Sequence, residues 1–224
     1  MGEFVAGLYL DNYVRKFLYF MHASTISTIT QFKPAQRVCV LAGSMGGPTG
    51  MRRFLRSLPP GLPVAFIIVQ HISPDAISLL CEYISRSTAM RVTVATQGHT
   101  LCHGEVVVMP TDKLLVVDAS LSIGLVDSSN EIHTPVDSVM GVVAERFGAC
   151  VGAIIFSGIG DDGVAGCRLI SKRGGEVWTQ SDESCRFGSL PLYVQGDCQV
   201  AYSSTPENLA ARLVSEFVRE KKNS

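Results

Sequence analysis

The stretch Arg37–Pro48 reads RVCVLAGSMGGP and predicts a strand, a tight turn and the start of a helix. Val38–Ala42 is a short apolar run, typical of a strand buried on both faces. The following GG pair allows a tight backbone turn, and Pro48 suits the first turn of a helix. Ser44 is therefore expected at the carboxyl edge of a sheet, beside the free N–H groups of a helix start. α/β proteins place their chemistry at this edge.

The length of 224 residues fits one α/β domain, or one domain with an appendage. A formal net charge of −1 gives no basic field for nucleic acid. Seven cysteines without a CxxC pair predict free, mostly buried thiols in a reducing compartment. The apolar run Phe17–Met21 is too short to span a membrane, and a signal peptide fits poorly. We expect a cytoplasmic protein with no membrane insertion and no nucleic-acid partner.

Predicted strands and helices alternate from Arg37 onward, which predicts an α/β fold with a doubly wound, mostly parallel sheet. The predicted strands are Val38–Ala42, Val64–Gln70, Arg91–Ala95, Val151–Phe156, Glu176–Gln180 and Gln199–Tyr202. The predicted helices are Pro48–Leu58, Pro74–Ser87, Pro135–Phe147, Val164–Arg173, Leu190–Gln195 and Pro206–Arg219. Short strands at Val106–Met109, Leu114–Asp118 and Ser122–Val126 predict an inserted antiparallel hairpin.

Residues 1–36 differ in sequence pattern from the rest of the chain. Val5–Met21 suits a short amphipathic helix, and Ala23–Ala35 is rich in serine and threonine and contains Lys33-Pro34. We therefore divide the chain into an N-terminal arm or linker over residues 1–36 and a main domain over residues 37–224.

Three of the most apolar predicted strands lead into residues suited to acyl-transfer chemistry. Ser44 follows the first, His71 ends the run VAFIIVQH, and Asp161 and Asp162 follow the run VGAIIF in a Gly-rich loop. If these strands are parallel, their carboxyl ends share one edge of the sheet, and the side chains can converge. A serine, a histidine and an acid are the nucleophile, the base and the orienting acid of a serine hydrolase.

Each residue type has a physical task in that chemistry. An imidazole, whose ordinary pKa is near ~6.5, can take the serine proton and return it to a leaving alkoxide. A buried carboxylate fixes the imidazole tautomer. The tetrahedral oxyanion needs preorganised donors, each typically worth ~3–4 kcal/mol. Candidate donors are the backbone N–H groups at Met45–Gly47 and in the Gly158–Gly160 loop.

The same residues also have non-catalytic interpretations. Ser44 alone suits a helix N-cap or a phosphate loop, His71 suits an ordinary strand end, and either aspartate suits a helix cap. GSMGG lacks the Gly-Lys-Ser/Thr of a P-loop, and Ser44 is not in a GxSxG motif. His99 and His103 flank Cys102 without a further ligand pair, so no metal site is predicted.

These motifs resemble the catalytic domain of the bacterial chemotaxis protein-glutamate methylesterases. The resemblance runs from about Arg37 to Phe217. It rests on GSMGGP around Ser44, VQHIS around His71, GEVVVMP at 104–110 and SGIGDDGVAG at 157–166, with weaker matches in PVDSVM at 135–140 and ESCRFGSLP at 183–191. The set is specific, although no single motif is.

The resemblance implies a doubly wound α/β domain that hydrolyses γ-glutamyl methyl esters on chemoreceptor cytoplasmic helices and releases methanol. It also implies deamidation of receptor glutamines and no metal or organic cofactor. Residue by residue, it implies Ser44 as nucleophile, His71 as base and Asp162, directly before Gly163, as acid. Asp161 matches a variable position of the family.

Two departures from the family pattern concern the oxyanion donors. Met45 stands where the family usually has threonine, and Ile159 where it usually has methionine. The implied donors are still the backbone N–H groups of Met45, Gly46 and Ile159. The spacing around the Gly-Met-Pro of the family also differs in residues 183–191.

The resemblance does not extend to the receiver domain that usually precedes the catalytic part of the family. Control by phosphorylation within this chain is therefore not expected, and a separate receiver or signalling protein is the alternative regulator. Two other hypotheses stay open. One is a catalytically weak or inactive regulatory domain that binds a receptor or a signalling partner. The other is a serine esterase or amidase with another substrate.

Overall fold

The computed structural model describes residues 33–118, 122–127 and 135–223. The predicted arm therefore lies almost entirely outside the described residues, as does its predicted helix. Near the start of the described residues, Pro34 forms an isolated antiparallel β-bridge with Cys102. Ala35 is buried, and its N–H donates to the carbonyl of Leu101 at 2.7 Å.

Strands and helices alternate over most of the described residues. The strands are β1 (Val38–Gly43), β2 (Ala65–Gln70), β3 (Arg91–Val94), β4 (Glu105–Val108), β5 (Lys113–Val117), β6 (Ile123–Asp127), β7 (Val151–Ile155), β8 (Glu176–Gln180) and β9 (Tyr202–Ser204). The helices are α1 (Gly47–Arg56), α2 (Ile77–Ser85), α3 (Pro135–Phe147), α4 (Val164–Lys172), α5 (Ser189–Asp197) and α6 (Pro206–Asn223). Short 3₁₀ turns occur at Pro74–Ala76, Gly148–Cys150 and Asp182–Ser184.

The main sheet has seven strands in the order β3-β4-β2-β1-β7-β8-β9, and every neighbouring pair is parallel. Alternate residues of the central strands point to opposite faces, so both faces carry apolar side chains. Met51, Leu80 and Leu209, on α1, α2 and α6, are buried against one face. Met140 and Ile170, on α3 and α4, are buried against the other, together with residues of α5. The predicted doubly wound parallel sheet is confirmed.

The prediction for the inserted hairpin is partly wrong. β5 and β6 do form a two-stranded antiparallel sheet, in which Lys113 is paired with Asp127. However, the predicted strand Val106–Met109 corresponds to β4, which pairs in parallel with β2 on one side and β3 on the other. All four β4 residues are buried, so this strand needs neighbours on both edges, which a hairpin does not supply.

Several predicted boundaries also shift, and two of these shifts have a clear physical reason. β9 comprises Tyr202–Ser204 rather than Gln199–Tyr202, because this edge strand pairs through its backbone and its serines give no apolar signal. The predicted helix Pro74–Ser87 begins as a 3₁₀ turn and becomes α-helical only at Ile77.

Phe54 of α1 anchors the packing of that helix onto the sheet. Its ring is fully buried and lies edge-on to Phe66 at 6.0 Å and to Phe156 at 5.8 Å between ring centroids. Such contacts add to the area that burial removes from water. Phe54 therefore fixes α1, and with it the turn that carries Ser44, against the sheet.

Phe54→Ala is expected to lower the free energy of unfolding by about 3–5 kcal/mol, because it removes a large ring and leaves a cavity. Urea denaturation measures this loss. Leu79→Ala is the control, since the Leu79 side chain is 66% exposed and its removal should cost within about 0.5 kcal/mol. Equal losses in the two variants would contradict the assignment of Phe54 to the core.

Candidate active site

Ser44 and His71 follow neighbouring strand ends at the carboxyl edge of the sheet. In the parallel register of β1 and β2, Gly43 is opposite Gln70, so the next residue on each strand is Ser44 on one side and His71 on the other. The His71 N–H donates to the Gly43 carbonyl at 3.4 Å. Ser44 is partly exposed and His71 is exposed, so both can meet a substrate.

A tight turn joins Ser44 to α1, and glycine is required within it. Gly46 has φ of 84°, a left-handed conformation that favours glycine. A Cβ at Gly46 would also lie 2.7 Å from Ser157 Oγ. The Gly47 N–H donates to the Ser44 carbonyl at 3.0 Å and closes the turn. We call residues 44–47 the nucleophile turn.

Asp162 reaches the same edge from the loop that follows β7. β7 pairs in parallel with β1 on the side away from β2, so the three segments are adjacent. Asp162 is half-buried, whereas Asp161 is exposed. His71 is close enough for its charge to act on the Asp162 carboxyl. The structure therefore brings the three predicted side chains to one edge of the sheet.

The Asp162 carboxylate is held by the first turn of α3. Its Oδ2 accepts from the Val136 N–H at 3.3 Å, and its Oδ1 accepts from the Asp137 N–H at 3.1 Å. An ionised carboxylate has about four acceptor positions, so capacity for an imidazole N–H remains. Among the described residues, no hydrogen bond joins the side chains of Ser44, His71 and Asp162. Catalytic hydrogen bonds are often long in unliganded enzymes and tighten around the substrate.

The Asp137 side chain, in turn, accepts a hydrogen bond from the first turn of α4. Its Oδ1 accepts from the Gly166 N–H at 2.6 Å, in the first turn of α4. Asp162, just before α4, thus caps α3, while Asp137, within α3, caps α4. Negative charge is favourable at both helix starts. Asp137 is not among the residues predicted from sequence, although it lies in PVDSVM and an acid after a first-turn proline is a helix-start signal.

Burial raises the pKa of both carboxyls above their ordinary values. For Asp162, desolvation and the nearby Asp137 charge outweigh the backbone N–H groups and His71, which act in the other direction. For Asp137, desolvation is again the largest cause, opposed mainly by the N–H groups of Gly166 and Gly163. Two acids in one half-buried site therefore hold their protons more tightly than they do in an unfolded chain.

Asp137→Asn is expected to gain stability relative to the native sequence as the pH rises from about 4 to about 7. Because burial raises the pKa of Asp137 in the folded state, the native protein binds this proton more tightly than the unfolded chain. The associated stability is present below the unfolded pKa and is lost as the pH rises through the folded pKa, whereas asparagine does not titrate. Urea unfolding at both pH values measures the difference. A difference that does not change with pH would contradict this account.

Ser157 connects three loops around the nucleophile turn. Its hydroxyl is within hydrogen-bonding distance of the Met45 carbonyl at 3.1 Å and the Phe187 carbonyl at 3.0 Å, and it accepts from the Phe187 N–H at 2.9 Å. The Ser157 N–H donates to Gln180 Oε1 at 3.1 Å. Ser157 therefore links the segment after β8, residues 181–188, to the nucleophile turn and to its own loop, which follows β7 and contains Asp162. Sequence reasoning missed Ser157, whose position directly before the Gly-rich loop was the available signal.

The predicted donors Met45 and Ile159 carry exposed apolar side chains. The exposed fractions are 57% for Met45 and 52% for Ile159. Apolar surface therefore borders the nucleophile turn on two loops, which suits contact with an apolar part of a substrate.

Two of the three residues considered for metal binding, His99 and Cys102, contact Glu105 in the structure. His99 Nε2 contacts Glu105 Oε1 at 2.9 Å, and the Cys102 N–H donates to the same oxygen at 2.6 Å. Arg91 also pairs with the buried Glu105. Within residues 33–118, 122–127 and 135–223, no three metal-ligating side chains form a cluster.

The seven cysteines are all free, but fewer are buried than predicted. Three of them, Cys39, Cys102 and Cys167, are buried, whereas Cys150 is exposed and the others are intermediate. None of them belongs to the candidate site.

Comparison with known families identifies the fold and its relatives. A sequence model of the CheB methylesterase family matches residues 39–213, which include Ser44, His71 and Asp162. The chain belongs to the CheB methylesterase family. A solved CheB structure, the catalytic domain of the CheB methylesterase of Thermotoga maritima, superposes with a TM-score of 0.75 over 80% of this chain and 97% of the other, at 24% identity. At that identity the likeness concerns the fold.

Curated CheB-type relatives are named protein-glutamate methylesterase/protein-glutamine glutaminase. One from Saccharophagus degradans is 30% identical over 167 residues, or 73% of this chain and 46% of the relative. One from Pseudomonas aeruginosa is 27% identical over 72% of this chain and 45% of the relative. The chain thus spans less than half the length of these relatives. In the part of this chain that the structure describes, no helix is long and apolar enough to cross a membrane.

Proposed function

We propose that this chain is a serine hydrolase that removes methyl esters from glutamate γ-carboxyls of chemoreceptor-type proteins and releases methanol. Ser44 is the nucleophile, His71 the general base and Asp162 the acid that orients the base. The observation that supports the proposal most directly is the paired register of β1 and β2, in which Gly43 and Gln70, the residues directly before Ser44 and His71, are opposite each other. The electrostatic effect of His71 on the Asp162 carboxyl supports the third role. Receptor glutamines are a second substrate, since an amide is attacked at the same carbon.

Acylation begins when Ser44 Oγ attacks the ester carbonyl carbon and His71 accepts the hydroxyl proton. As the C–O bond forms, the carbonyl π pair moves onto oxygen and gives a tetrahedral oxyanion. Collapse of this intermediate breaks the bond to the methoxy group. The methoxy oxygen takes the proton from His71 and leaves as methanol, and a γ-glutamyl ester remains on Ser44.

Deacylation repeats these steps with water. His71 takes one proton from the water as its oxygen attacks the acyl carbon, and a second tetrahedral oxyanion forms. Collapse breaks the bond to Ser44 Oγ, which recovers its proton from His71. The γ-carboxyl group is released and ionises near neutral pH.

The backbone N–H groups of Met45, Gly46 and Ile159 stabilise the two oxyanions. The first two belong to the nucleophile turn, directly after the attacking residue. The third belongs to the loop after β7. The Gly158 backbone in this loop lies so close to Ser44 that a Cβ added at Gly158 would be 3.0 Å from Ser44 Cβ. Backbone donors need no reorganisation during the reaction, which makes them effective in stabilising developing charge.

Methanol release from a methylated receptor fragment, compared with release from simple methyl esters, tests this proposal. We expect receptor ester to be hydrolysed with the higher kcat/KM and a fluorophosphonate probe to label Ser44. Faster hydrolysis of simple esters would favour an esterase with another substrate. Receptor binding without methanol release or probe labelling would favour a non-catalytic regulatory domain, the alternative that the Met45 and Ile159 departures motivate.

A further inference from the structure

In each of the three predicted oxyanion donors, the carbonyl of the same peptide group accepts a hydrogen bond from elsewhere in the protein. A peptide group is planar and trans, so its C=O and N–H point in opposite directions. A hydrogen bond that fixes the carbonyl therefore also fixes the direction of the N–H. The N–H groups of Met45, Gly46 and Ile159 belong to peptides whose carbonyls are those of Ser44, Met45 and Gly158.

A buried glutamine is the second donor to the Ser44 carbonyl, which also accepts from the Gly47 N–H of the nucleophile turn. Gln70 Nε2 donates to it at 2.6 Å, and the Gln70 side chain is only 2% exposed. The same hydrogen bond polarises the Ser44–Met45 peptide and strengthens its N–H as a donor. Gln70 is also the residue directly before His71, so one strand end supplies both the base and the contact to the nucleophile turn.

Gln70 keeps this position at a cost. Its Oε1 is buried without a hydrogen-bond partner in the described part of the chain. A buried unsatisfied acceptor typically destabilises a protein, and an apolar side chain of similar shape avoids that loss. Folding alone therefore does not explain a glutamine here, whereas the contact of its amide N–H with Ser44 does.

Side chains or backbone donors hold the other two carbonyls in the same way. The Met45 carbonyl lies 3.1 Å from Ser157 Oγ, and Ser157 is 1% exposed. The Gly158 carbonyl accepts from the Leu190 N–H at 3.1 Å and from Ser189 Oγ at 3.2 Å. Each predicted donor N–H thus belongs to a peptide group whose opposite end is anchored.

We infer that Gln70 and Ser157 are positioning residues of the oxyanion site, which hold the Met45 and Gly46 N–H groups toward the developing negative charge by anchoring the carbonyls behind them. This inference rests on the proposed esterase function. Both side chains are buried, so they act through the peptide groups that they contact. Their effect is on the transition state, where charge collects on the oxygen, rather than on ground-state binding.

Gln70→Met tests the first anchor, because methionine keeps the length of the side chain and removes the donor. We expect kcat on methylated receptor to fall about 10- to 100-fold, less than the ~10²–10³ that loss of a whole donor costs, with KM nearly unchanged. Affinity for a boronic acid, which forms a tetrahedral anionic adduct on the serine, should fall by the same factor. The pH profile of kcat/KM should keep its shape, since the base is untouched.

Ser157→Ala tests the second anchor and keeps the inference testable if Gln70→Met folds poorly. Ser157→Thr, which retains the hydroxyl, should restore most of the kcat lost in Ser157→Ala. Gln195→Met is the control for removal of an amide, because Gln195 contacts Thr179 and Ser203, not the nucleophile turn. Its kcat and boronate affinity should match those of the native sequence.

The outcomes separate this inference from the function on which it rests. If the native chain is active and depends on Ser44, but Gln70→Met and Ser157→Ala keep both kcat and boronate affinity, the inference is wrong and the function stands. A fall in kcat without a fall in boronate affinity also overturns it, because the side chains are then only structural. If the native chain is no faster than Ser44→Ala, the proposed function fails, and the inference fails with it.

Discussion

Turnover of methylated receptor is expected to fall by on the order of 10⁶ in Ser44→Ala, because no other group can form the acyl intermediate at this position. The substitution removes only the Oγ atom of a partly exposed residue whose side chain makes no hydrogen bond within the described residues. Folding should therefore be unaffected. Methanol release under single-turnover conditions measures the rate, and thermal unfolding confirms that the variant is folded.

Ser203→Ala is the matched control for this experiment. Ser203 is an exposed serine on the edge strand β9, and its hydroxyl accepts a hydrogen bond from Gln195 Nε2 at 3.3 Å. Its removal should leave turnover within about twofold, since surface substitutions away from a site usually have small effects. If Ser44→Ala hydrolyses receptor ester as fast as Ser203→Ala, Ser44 is not the nucleophile.

Asp162→Asn is expected to lower turnover by about 10⁴, because an amide N–H₂ cannot accept from the imidazole and selects the wrong tautomer. The variant should also be less stable. The Asp162 carboxylate accepts from two N–H groups of α3, one on each oxygen, and an amide has only one oxygen to accept them. Methanol release and urea denaturation, measured on the same preparation, separate these two effects.

Asp161→Asn distinguishes the two adjacent aspartates. Asp161 is exposed, and among the described residues its carboxylate accepts no hydrogen bond from the first turn of α3. Turnover of Asp161→Asn should therefore stay within a few-fold of the native value. Equal losses in the two variants would show that the loop as a whole, rather than the Asp162 carboxylate, supports activity. A larger loss in Asp161→Asn would reverse the assignment.

The central part of the fold could be predicted because its signals are local. β1, the turn and α1 follow from an apolar run, two glycines and a proline within Arg37–Pro48. Strands buried on both faces have continuous apolar runs, so β2 and β7 were equally visible. Their shared carboxyl edge then placed Ser44 and His71 together, as the register of Gly43 and Gln70 confirms.

The remaining features depend on partners that are distant in the chain. β4 was assigned to the hairpin because its neighbours in sequence are short strands, whereas its neighbours in space are β2 and β3. The contact of Gln70 with Ser44 spans 26 residues, and that of Ser157 with Met45 spans 112. A polar residue at the end of an apolar strand signals a role, but its hydrogen-bond partner requires the fold.

The reciprocal capping of α3 by Asp162 and of α4 by Asp137 has a consequence for motion in this protein. Asp162 cannot leave its position without freeing the amides of α3, and Asp137 ties that same turn to Gly166 of α4. Local opening of either helix start therefore releases the other, and the two form a single cooperative unit. Asp162, the proposed orienting acid, is held in place by this unit, whereas the exposed side chains of Met45 and Ile159 can change rotamer on an anchored backbone.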